Sequence, residues 1–181
     1  MNQRVAFLRG INVGGHHKVP MAELRTTFEK LGCKNVATIL NSGNVLFESH
    51  KLLTDAEISA WLQATFGFPT PTITLDFDQI LDFHNQDPFK GIEVTKDIRL
   101  YLTFLGENDK ECLSLPWESE DRSFKVLKLD VQTLFSVLDL SLSSTPKAME
   151  VLEKTYGKDI TTRNWNTIGR VVKKAAALGW V

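Results

Sequence analysis

The sequence is short of cysteine, of long apolar runs and of net charge. Its 181 residues hold only two cysteines, Cys33 and Cys112, far apart and outside any C-x-x-C pair. That spacing offers neither a disulfide framework nor a structural zinc site, and it sets a reducing compartment, the cytoplasm, as the expectation. No stretch approaches the roughly 20 apolar residues that span a bilayer, so no membrane partner is expected. The start offers only Val5-Ala6-Phe7-Leu8 before Arg9 interrupts, too little for the apolar core of a secretory leader. Lys and Arg number 21 against 22 Asp and Glu, a formal net charge of -1, which gives no overall attraction to nucleic acid. The nucleophile pattern G-x-S-x-G is missing, and so are H-x-x-x-H and any Cys/His cluster, so no catalytic residue, cofactor or metal is assigned. What is present is an ordinary globular composition, 43% hydrophobic and 24% charged. The length allows one domain or two small ones.

Periodicity divides the chain into two similar halves. Residues 4–8 read as a strand, and residues 20–31 as a helix with Met21, Leu24, Phe28 and Leu31 on one face, Pro20 in its first turn and Gly32 as its stop. Residues 36–40 and 45–48 are short strands around the turn Asn41-Ser42-Gly43-Asn44. Thr54 and Glu57 have capping-box spacing ahead of the stripe Ile58, Trp61, Leu62 and Phe66. Residues 72–75 form another strand, which completes the order strand, helix, strand, strand, helix, strand of a split βαβ unit. A short helix over 76–85 follows, and residues 86–97, with Pro88 and Gly91, form the expected linker.

In the second half, residues 99–105, 123–129 and 132–138 read as strands, with an acidic stretch at 107–122 that has no helical stripe. Residues 145–156 and 162–178 read as helices, the latter with Trp165, Ile168, Val171, Val172 and Ala175 inward. The expected fold class is therefore α+β: two ferredoxin-like halves, 1–85 and 98–181, the second degenerate for want of a closing strand and ending in a basic helix.

Three segments carry polar residues in patterns that suit binding. The first is Arg9-Gly10-Ile11-Asn12-Val13-Gly14-Gly15-His16-His17-Lys18, a glycine-bearing connection from strand to helix. Its glycines allow close approach, Arg9 and Lys18 supply charge, and a helix start favours anions by about 0.3 to 1 kcal/mol. It is neither a P-loop, since His16 and His17 stand where Lys and Ser/Thr belong, nor G-x-G-x-x-G. Its glycines equally suit plain turns. The second segment is the turn bearing Ser42 and Asn44, whose side chains can orient a ligand or simply shape the turn. The third is Thr161-Thr162-Arg163-Asn164-Trp165, where Arg163 in the first turn of a helix needs an offsetting anion, from a ligand or from Asp159.

On these same residues, Leu8 to Gly15, Ser42-Gly43-Asn44-Val45 and Thr162-Arg163-Asn164-Trp165, the chain resembles the bacterial domain of unknown function 1697 family along essentially its whole length. The resemblance implies an α+β fold of two ferredoxin-like halves and no established activity. It makes Arg9, Asn12, Ser42, Asn44, Arg163 and Asn164 candidates for one shared site. Thr38-Ile39-Leu40 departs from the family, which often has an aromatic at the middle position, so no aromatic role beside the hairpin carries over.

The leading expectation is binding of a phosphate-bearing small molecule or nucleotide by Arg9, Gly10, Asn12, Gly14, Gly15, Lys18, Ser42, Asn44, Arg163 and Asn164. Two alternatives stand beside it: a protein-interaction module without chemistry, and a single-stranded nucleic-acid binder. The second lacks the aromatic pattern of an RNA-binding sheet, because Gly43-Asn44-Val45-Leu46-Phe47 holds one aromatic.

Overall fold

The computed structural model describes residues 1–106 and 113–181, in which strands and helices are interspersed. Part of the acidic stretch, 107–112 with Cys112, lies outside the described residues. The first elements are β1 (Asn2–Leu8), α1 (Met21–Lys30), β2 (Lys34–Ile39), β3 (Asn44–Ser49), α2 (Asp55–Phe66), β4 (Thr72–Asp76) and α3 (Phe77–Gln86). After them come β5 (Ile98–Phe104), β6 (Trp117–Glu118), β7 (Phe124–Asp130), β8 (Thr133–Asp139), α4 (Thr145–Tyr156), β9 (Thr161–Asn164) and α5 (Trp165–Ala177). The protein is α+β, with two antiparallel sheets ordered β2-β3-β1-β4 and β6-β7-β8-β5-β9. The chain divides into two compact units, Met1–Gln86 with Gly169–Val181, and Asp87–Ile168.

In the first unit, strand alternation sends Ala6, Leu8, Val45 and Phe47 to one face of the sheet, where they meet Leu24 and Phe28 of α1 and Ile58 and Leu62 of α2. α2 starts on the expected capping box. Thr54 Oγ1 accepts from the Glu57 N–H at 3.2 Å, and Glu57 Oε2 accepts from the Thr54 N–H at 2.8 Å. Hydrogen bonds from Lys51 and Thr54 hold the exposed Glu57 carboxyl well below its usual range, at about 2. Pro20 sits one position earlier than expected, as the residue preceding α1. α2 also seals the outer edge of the sheet, because Ser59 Oγ accepts from the Thr72 N–H and Asp55 from the N–H and hydroxyl of Thr74. Cys33 is buried in this core, which pushes its thiol up to about 11 and leaves it in the inert protonated form.

The second unit corrects the sequence reading in one place. Residues 162–164, expected to start the last helix, do not: that helix begins at Trp165. Residues 161–164 are extended. They form β9, which pairs antiparallel with β5 and supplies the closing strand that the second half was expected to lack. Two β-branched residues explain it: Thr162 lies opposite Thr103, and their hydroxyls share a hydrogen bond of 2.8 Å. Arg163 is therefore a strand residue, and its charge does not oppose a helix dipole.

Beneath α4, Ala148, Leu152 and Tyr156 cover Tyr101, Phe124, Val126, Leu134 and Leu138. Ser136 lies among them, opposite Tyr101 and Val126, fully buried, and among the described residues its hydroxyl has no hydrogen-bond partner. Ser136→Ala is expected to raise stability by about 1 kcal/mol, since the desolvation cost of the hydroxyl disappears and almost no volume is lost. Urea unfolding of the variant checks this, and a lower midpoint would mean that the hydroxyl is satisfied in solution.

Candidate functional site

The loop from β1 to α1 is a small hairpin, and its own backbone builds it. The Asn12 N–H donates to the His17 carbonyl at 3.0 Å and the His16 N–H to the Val13 carbonyl at 3.0 Å. Gly14 and Gly15 make the turn between them, at φ 58° and 79°, the pair of positive angles that a tight two-residue turn requires. His17 closes the base: its Nδ1 donates to the Gly10 carbonyl at 3.2 Å, and its ring stacks on Phe68 with centroids 4.3 Å apart.

Asn12 anchors the hairpin to the rest of the unit. Its Nδ2 donates to the Val19 and Asn41 carbonyls at 3.1 and 2.8 Å, and its Oδ1 accepts from the Val19 N–H at 2.9 Å. Both ends of the amide are thus committed to backbone. Asn44 acts similarly at the next turn, fully buried, with Nδ2 donating to the Ile39 carbonyl at 2.8 Å and to Ser42 Oγ at 3.1 Å.

Between the hairpin, the β2–β3 turn and the start of α1 lies an open cleft of about 400 Å³. It is lined by Asn12, Gly15, Lys18 and Val19 of the loop, by Pro20 and Met21 at the start of α1, and by Asn41. The first turn of α1 ends there, with no side-chain cap on its N–H groups. Lys18 is exposed and brings the cation.

Of the residues singled out from sequence, this cleft gathers Asn12, Gly15 and Lys18. Arg9, Gly10, Gly14, Ser42 and Asn44 belong to the same unit but do not line it. The half-buried Arg9 donates its backbone N–H to the Pro71 carbonyl at 2.8 Å. Arg163 and Asn164 lie in the other unit. Arg163 is half-buried there, with Nη1 donating to the Thr162 carbonyl at 2.9 Å, and desolvation lowers its pKa to about 10, so it remains a cation at neutral pH. Asn164 Oδ1 accepts from the Asn166 N–H at 2.9 Å, a cap for the first turn of α5. Val19, Pro20, Met21 and Asn41 also line the cleft and were not among the chosen site residues; Pro20, which marks a helix start, and the turn that opens at Asn41 were the signals for them. Among the described residues no group of three His, Cys, Asp or Glu side chains could hold a metal ion, and no helix is long and apolar enough to cross a membrane.

This architecture, an α+β chain of two antiparallel sheets with a polar cleft at a strand-to-helix loop, has known relatives. The chain belongs to the DUF1697 family of proteins of unknown function, which it matches over residues 1–134. It is also similar in fold to the conserved bacterial protein SP0830 from Streptococcus pneumoniae, with 24% identity and a TM-score of 0.60 over 94% of this chain and 96% of that one. No curated protein matches the chain.

Proposed function

We propose that the protein binds a small phosphate-bearing molecule in the cleft between the glycine hairpin and α1. One observation carries this reading: Lys18 and the residues that open the uncapped helix α1, Pro20 and Met21, line the same roughly 400 Å³ space. An anion there accepts from the first turn of α1 and from Lys18, while the apolar side of Met21 and Val19 receives an uncharged part of the ligand. Three charge-assisted hydrogen bonds at about 1.5 kcal/mol each correspond to a Kd of roughly 0.5 mM for the anion alone. Asn12 and Asn44 serve as struts that hold the walls. The recurrence of the order β2-β3-β1-β4 as β7-β8-β5-β9 supports reading each half as ferredoxin-like, with β6 added at one edge. A buried, unpaired Cys33 is in keeping with a cytoplasmic protein.

The test is a thermal-shift comparison of the parent and Lys18→Glu with inorganic phosphate, pyrophosphate and nucleoside phosphates at constant ionic strength. At forty times the Kd a ligand stabilises the parent by about 2 kcal/mol. The variant is expected to show no shift with the same ligand. A flat parent across the panel, or a variant that responds equally, refutes the cleft as an anion site. A second reading, a protein-interaction module, draws on Val13, which is 68% exposed at the tip of the hairpin. It predicts the flat panel.

A further inference from the structure

Away from the cleft, α3 and the part of α5 that belongs to the first unit lie side by side and antiparallel. Phe77 at the start of α3 meets Trp180 just past the end of α5, ring centroids 5.2 Å apart, and His84 near the end of α3 lies 4.0 Å from where a Cβ would stand on Gly169. Their solvent sides carry opposite charge. Asp78 and Asp82 are spaced one turn apart on α3, and Arg170, Lys173 and Lys174 fall within one turn of α5. All five are exposed. Among the described residues none of them forms an ion pair, whereas Lys51, Lys125, Lys147 and Lys154 each find a carboxylate within 3.3 Å.

An acidic ridge beside a basic one fits a polyanion poorly, because a phosphate backbone drawn to α5 meets Asp78 and Asp82. It fits a partner with the same ridges in exchanged order. A second copy of the chain provides that arrangement when turned about a two-fold axis parallel to the helices: the acids of each copy then face the cations of the other. The axis preserves height along the helices, and the contacts at Phe77 and His84 place Asp82 level with the turn that carries Arg170, Lys173 and Lys174.

We propose that the face formed by α3 and α5 is a homodimer interface, with Asp82 of each copy opposite Arg170, Lys173 and Lys174 of the other and Asp78 one turn further along the same seam. The association is electrostatic, reversible and salt-sensitive. It is independent of the anion cleft.

Sedimentation equilibrium of the full chain at low and high salt tests it. The parent is expected to be dimeric at low salt and to dissociate at high salt. Lys173→Glu/Lys174→Glu and Asp78→Lys/Asp82→Lys are each expected to self-associate at least tenfold more weakly, because most of the facing attractions become repulsions. Mixing the two variants in equal amounts restores complementary faces and is expected to restore the dimer mass, which also shows that both variants are folded. A parent that stays monomeric at low salt overturns the proposal, as do variants that dimerise like the parent. A monomeric parent held on heparin and released by Lys173→Glu/Lys174→Glu would assign α5 to a polyanion instead.

Discussion

Gly43→Ala is expected to destabilise the first unit by about 3 kcal/mol, through two separate costs. Gly43 has φ 75°, where a side chain costs about 1 to 2 kcal/mol. A Cβ there would also stand 2.8 Å from Leu8 Cβ and 2.8 Å from Ile11 Cδ1. Ile11 can turn its end away, but Leu8 Cβ is fixed, since the Leu8 N–H donates to the Gly43 carbonyl at 2.8 Å. Relieving the overlap costs about 1 to 3 kcal/mol more. Gly67→Ala separates the two terms: its φ is 80° but nothing lies within 4 Å of its added Cβ, so only the conformational cost of about 1 kcal/mol is expected. Chemical denaturation of both variants decides the matter, and equal losses would show that the close approach to Leu8 carries no weight.

Asn12→Ala is expected to cost a similar amount, about 3 kcal/mol, for a different reason. Removing the amide deletes three hydrogen bonds and leaves the buried Val19 N–H without its acceptor. That loss is worth about 2 kcal/mol. Asn12 also has φ 55°, a conformation Asn tolerates and Ala does not, at about 1 kcal/mol. Asn12→Gly removes the hydrogen bonds and keeps the backbone at ease, so it is expected to lose about 1 kcal/mol less than Asn12→Ala. If Asn12→Ala unfolds within about 0.5 kcal/mol of the parent, the hairpin is held by its backbone and the Phe68 stack alone.

Local chemistry was the part of the fold legible in the sequence. The Thr54 and Glu57 box, the glycine stop at Gly32 and the turn at residues 41–44 all act between residues a few positions apart, so spacing reveals them. β9 was hidden because the apolar period of Trp165, Ile168 and Val172 extends backward without a break over Thr162, and only pairing with β5, some sixty residues earlier, makes it a strand. The same limit applied at the cleft. Gly14 and Gly15 announced a special backbone, yet nothing in their order distinguished a cradle for an anion from a turn. The duty of Asn12 depends on the Asn41 carbonyl, 29 residues away, and that of Asn164 on a helix boundary which had been placed too early. Lys18 was legible as a cation beside a helix start, and that is its position in the structure.

The assignment of residues 169–181 to the first unit also orders the events of biosynthesis. A ribosome delivers β1 to α3 early, and with them one complete helix layer over the first sheet. Trp180, which donates its indole N–H to Glu48 Oε1 at 2.7 Å and packs on Phe77, emerges only after the whole of the second unit. Until then Phe77 and Glu48 lack their indole partner, while residues 87–168 are already present as one uninterrupted stretch. The unit that begins first is therefore the unit that finishes last. A nascent chain stalled before residue 169 would present an unfinished apolar surface to chaperones for as long as the stall lasts.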